Sequence, residues 1–105
     1  MIRRDMPRAG APIVRGPFRS TLIRYPGKGG WTFAPIPKKW MPPVTRPWGR
    51  TPVVATVDGV TWNTSIWRDT KSDAALLPLP ATVRGTKKRG DIVTVSFSFE
   101  EDPDD

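Results

Sequence analysis

Cysteine and histidine are both absent from this 105-residue chain. Without a thiolate or an imidazole there is no Ser-His-Asp triad, no Cys-His pair, no Cys/His zinc site and no disulfide framework. Long apolar runs are missing too. Nothing approaches the roughly 18 consecutive apolar residues of a membrane-spanning helix. The arginines at the start (Arg3, Arg4, Arg8) are not followed by the apolar stretch of a secretory signal, so the expected setting is a bacterial-type cytoplasm. Acids are scarce in residues 1–50, which hold 11 Lys and Arg against one acid, Asp5; residues 51–105 hold six against nine.

Proline and glycine are plentiful, at 13 and 9 residues, while 37% of the chain is apolar. That combination suits one small, turn-rich β domain. Residues 1–16, poor in large apolar side chains, read as a disordered basic arm, and residues 100–105 as a disordered acidic tail. Residues 17–99 are the domain between them.

Alternation of period two recurs there, and a helical period does not. Phe18, Ser20 and Leu22 share one strand face, and Trp31 and Phe33 share another. Val53, Ala55 and Val57 lead to Asp58-Gly59, then Val60, Trp62, Thr64 and Ile66; Asp-Gly between β-branched runs is a type I′ hairpin signal, because both turn residues need φ > 0. AALLPL (74–79) follows, and Val93, Val95, Phe97 and Phe99 line the last run. About six strands emerge, with room for one short helical turn in 80–89.

The chain also resembles itself. STLIRYPGKGGWTFAPIP (20–37) aligns without a gap on NTSIWRDTKSDAALLPLP (63–80), at an offset of 43. Each copy leads through a basic connector and a glycine into a β-branched strand. Two such units would close into a pseudo-twofold barrel, hiding strand edges that an open sheet exposes.

Four blocks carry a resemblance to a known family: GKGGWTFAPIP (27–37), GR-x-PV-x-x-TVDG-x-x-W-x-TS (49–65), LLPLPATVR (76–84) and GDIVTV (90–95). Together they resemble a bacterial domain-of-unknown-function family, DUF1905, whose members are often fused to a YdeI-type, OmpD-associated domain. The resemblance implies an all-β, small double-split β-barrel, each half similar to the swapped hairpin of AbrB/MazE-type regulators. It implies no catalytic residue and no cofactor. Two departures stand out: GTKKR (85–89) is wholly polar, and the first connector is Pro-rich (Pro37, Pro42, Pro43, Pro47, Pro52), which excludes a helix there.

Few residues suggest chemistry. PGKGG (26–30) lies between strands, not before a helix, so it reads as a hairpin loop and not as a phosphate cradle. Asp58, Asp69, Asp73 and Asp91 fall at turns, where aspartate has a backbone role. No metal ligand set is present, and the expectation is a non-enzymatic binding or interaction module. Trp31 and Trp62 read as core, and Trp67 as facing outward. Trp40 and Trp48 sit in the first connector among Lys38, Lys39, Arg46 and Arg50, and either pin that loop or stack on bases while the cations meet phosphates. Lys87, Lys88 and Arg89 occupy the equivalent place in the second connector. These nine residues, Lys38 to Arg50 and Lys87 to Arg89, are the candidate contacts for nucleic acid or for a YdeI-type protein partner. No PxxP occurs, which argues against an SH3 ligand. A monomer or weak oligomer is expected.

Overall fold

The computed structural model describes residues 12–24, 30–69 and 73–100. Most of the basic arm, most of the acidic tail and the body of the PGKGG loop lie outside them. The described residues form one curled antiparallel sheet of seven strands, a half-barrel. In chain order these are β1 (Pro12–Thr21), β2 (Ile23–Arg24), β3 (Thr32–Ile36), β4 (Arg50–Val57), β5 (Val60–Asp69), β6 (Ala74–Pro78) and β7 (Ile92–Glu100). Their order across the sheet is β1-β7-β4-β5-β6-β3-β2. The two outermost strands are therefore consecutive in the chain, separated by Leu22 alone. Leu22 is 1% exposed, its N–H donates to Asp91 O (2.8 Å) and its carbonyl accepts from the Gly90 N–H (2.9 Å). A corner buried and bonded at one residue bends the sheet back on itself.

Alternation predicted most of the inner face. Phe18, Leu22, Val53, Ala55, Val57, Ile66, Val93, Val95, Phe97 and Phe99 are all buried in one core. The Asp58-Gly59 turn closes the β4–β5 hairpin as expected, with Val57 opposite Val60 and φ of 47° and 87° at the turn. One helical turn, α1 (Ala81–Arg84), falls within 80–89.

Several expectations are corrected. There are seven strands, because the first run is divided at Leu22. β1 begins at Pro12, inside the stretch read as an arm, and β7 runs to Glu100. Gly16 (φ 105°) sits in the register shift between Arg15 and Phe18, where a bulge moves the inward positions from odd to even residues. In β3 the faces are reversed. Thr32, Ala34 and Ile36 are buried, while Trp31 is 56% exposed and Phe33 half-buried. Trp62 is also only half-buried, although it packs against the core. Asp69 ends β5 and is not in a loop.

Candidate functional site

The first connector leaves β3 through a 3-10 turn, Lys38–Trp40, and reaches β4 through a second short turn, Pro47–Gly49. Much of it is pinned. The Trp40 ring stacks on Phe18 with centroids 5.9 Å apart, and Pro42 is buried. The buried Thr51 hydroxyl donates to Pro43 O (2.6 Å), and an Arg68 Nη donates to Pro42 O (3.2 Å). Lys38 Nζ meets Asp73 at 3.1 Å, and Arg68 reaches the same carboxylate at 3.4 Å. Trp40 is thus an anchor of the loop.

Trp48 does the opposite. Its side chain is 86% exposed, on a left-handed backbone (φ 71°, ψ 24°) that bulky residues rarely adopt. Gly49 follows at φ 69°. A Cβ there would lie 2.9 Å from Arg68 O, so only glycine lets the loop cross the end of β5. The Arg46 and Thr45 amides both point to Arg50 O, at 2.9 and 3.3 Å, closing the turn beneath Trp48.

On the outer sheet face at this end, Arg50 lies directly opposite Trp67, which is 41% exposed. The Arg50 Nε is buried and has no hydrogen-bond partner. Next to it a shallow groove of about 350 Å³ runs across the outer face, lined by Arg46, Pro52, Val54, Asn63, Ser98 and Pro12, with Glu100 at one end. Lys39 Nζ lies 5.0 Å from the Trp40 ring centroid, a cation–π contact.

The structure does not bring the two connectors together. Lys87, Lys88 and Arg89 lie by the Asp58-Gly59 turn, at the far end of β4, about 23 Å from Arg50 at ~3.3 Å per strand residue. Lys87 Nζ is 3.7 Å from Asp58 and donates to Ile92 O (3.1 Å). The Lys88 amide donates to Asp91 (3.0 Å). Asp58 and Asp91 hold turns, as their positions in sequence implied: the Asp58 carboxylate accepts from the Thr94 amide at 2.9 Å. Among the described residues, no three carboxylates group together. The one site residue that sequence reasoning left out is Trp67; its outward parity was visible, but its place opposite Arg50 depends on hairpin register.

A curled, all-β half-barrel with little helix defines the class of this chain, a small β-barrel-like domain. Within that class it belongs to the family described as domain of unknown function (DUF1905), whose model matches residues 18–97, as the four sequence blocks implied. The match takes in β2 to β6 whole. No curated protein and no solved structure matches the chain. Among the described residues, no helix is long and apolar enough to cross a membrane.

Proposed function

We propose that this domain is a non-enzymatic binding module whose binding surface is the outer face at the Arg50 end of the β4–β5 hairpin. The observation that carries this reading is Trp48. An indole held in water on a left-handed backbone costs free energy, and such conformations persist where the surroundings over-determine them, most often at sites of contact. The pinning of the loop at Trp40, Pro42 and Thr51 supplies that over-determination.

Single-stranded nucleic acid is the ligand that the grouping of Trp48 and Trp67 with Arg46 and Arg50 favours. Indole faces stack on bases without regard to sequence, while guanidinium groups meet phosphates. In this reading Lys87, Lys88 and Arg89 form no part of the surface, because they lie at the other end of the hairpin. A YdeI-type protein is the rival occupant. The reading places the domain in the bacterial cytoplasm, as a monomer or weak oligomer. It also takes the fold as a pseudo-twofold, double-split barrel. In support, Thr32, Ala34 and Ile36 are buried in β3, and so, each 43 residues on, are Ala75 and Leu77 in β6 and Leu79 just after it; the two strands pair with each other.

Fluorescence anisotropy of labelled single- and double-stranded DNA and RNA tests the ligand. The expected result is micromolar or tighter binding of single strands near physiological salt, by the full chain and by a chain lacking residues 1–11 alike. Counterion release makes the affinity fall with salt without abolishing it. Binding that disappears with residues 1–11, or in modest salt, sinks the nucleic-acid reading.

A further inference from the structure

A second cavity, also of about 350 Å³, shares no residue with the connector groove. It opens where the start of β3, the end of β6 and α1 converge, a junction fixed by the Leu79 amide donating to Thr32 O (2.9 Å). Its size is at the lower end of small-molecule sites. Leu79, Pro80 and Ala81 give it apolar surface, and Trp31 and Arg84 complete its lining with an indole and a guanidinium.

Both are out of place in a purely structural role. Trp31 leaves more than half of its surface in water, although its ring is stacked on Phe33 (centroids 6.5 Å apart). Arg84 Nε is buried with no hydrogen-bond partner, and a buried unpaired donor of a charged group is costly. A second guanidinium lies close by. Arg24 packs against Gly30, another lining residue, so tightly that a Cβ on Gly30 (φ 51°) would collide with it. Among the described residues, no acidic residue lines the cavity and no ion pair involves Arg24 or Arg84.

We propose that this cavity binds a small planar carboxylate, its ring lying on Trp31 and its carboxylate on Arg84. A carboxylate approaching side-on, with a small swing of the arginine, takes the Nε–H and one Nη–H together. That two-point geometry is the one a guanidinium fork matches best. Arg24 adds positive potential without a second fork being required.

The probe is 1-naphthoate, titrated into the full chain and followed by 1H–15N NMR. Saturable shifts are expected at the Trp31 indole N–H, assigned with Trp31→Phe, and at the Arg84 Nε–H. Neutral 1-naphthamide should bind about tenfold more weakly or worse, and Arg84→Gln should weaken naphthoate by a similar factor. Arg84→Lys keeps the charge but loses the fork, so it should also bind weakly, and it serves if the glutamine variant fails to fold. Arg19→Gln, on β1, should bind like the parent. Absence of saturable shifts, parental affinity in the Arg84 variants, or equal binding of the amide overturns the proposal. Tighter binding of 1-naphthyl phosphate overturns the assignment to a carboxylate.

Discussion

Gly16 and Gly59 both take positive φ, at 105° and 87°, yet their surroundings differ. A Cβ on Gly16 would stand 2.8 Å from Val95 O and 3.0 Å from Ser96 Cα, backbone atoms of the neighbouring strand that cannot yield. Nothing lies within 4 Å of a Cβ on Gly59. Gly16→Ala should therefore cost about 2–3 kcal/mol, and Gly59→Ala only the backbone term of about 1 kcal/mol. Urea midpoints at constant slope read the difference; equal losses would mean that close approach at the bulge is unimportant. At this scale the sequence was a partial guide. In WTFAPI (31–36) both parities carry apolar side chains, so alternation has no contrast to work with and size favoured the aromatics. The choice was made instead by the partners of β3, which put small Ala34 and Thr32 inward and leave Trp31 to the rim of a cavity.

Among the elements, the β4–β5 hairpin was the most legible, because a two-residue turn fixes register locally. Asp58 does more than turn the chain. Its amide donates to Thr94 O (3.0 Å) and its carboxylate accepts from the Thr94 amide, so it ties the hairpin to β7. Asp58→Ala should cost about 1–2 kcal/mol. Lys87→Ala, which removes a half-exposed ion pair to the same carboxylate, should cost about 0.5 kcal/mol or less. Thermal or urea unfolding of the two variants separates the roles; a larger loss at Lys87 would contradict this assignment. The start of β1 was illegible for the opposite reason. Residues 1–16 are poor in large apolar side chains and so read as an arm, but proline is tolerated at the first residue of a strand and glycine at a bulge. The pairing of Pro12 with Glu100 is set across 88 positions of sequence and leaves no local mark. Likewise Trp40 and Trp48 have equal standing in the sequence, among the same cations. Only the position of Phe18 under one and open solvent around the other distinguishes anchor from exposed face.

For the molecule as a whole, curvature depends on Leu22, where β1 hands over to β2 and the corner is bonded to residues 90 and 91. Leu22→Ala should destabilise the fold by about 2–5 kcal/mol, seen as a lowered urea midpoint; a loss under 1 kcal/mol would mean that closure does not rest on this corner. The fold class was readable because alternation is a property of each strand, and the family because its blocks are contiguous. The surface was not, because it is assembled from residues on separate elements. Sequence grouped the two basic connectors by their equivalent place in the repeat, whereas the hairpin holds them at its two ends.

That separation gives the most direct test of the binding surface. Trp48→Asn removes the exposed indole while keeping a residue that accepts a left-handed backbone, and Lys88→Ala with Arg89→Ala removes charge from the other end. Anisotropy with labelled single-stranded DNA near physiological salt should show the Trp48→Asn chain about tenfold weaker, a loss of the size of one base–aromatic stack, with its urea midpoint not lowered. The Lys88/Arg89 variant should bind within about threefold of the parent. Undiminished binding by Trp48→Asn, or a greater loss from the Lys88/Arg89 variant, would contradict the placement of the site at the Arg50 end of the hairpin.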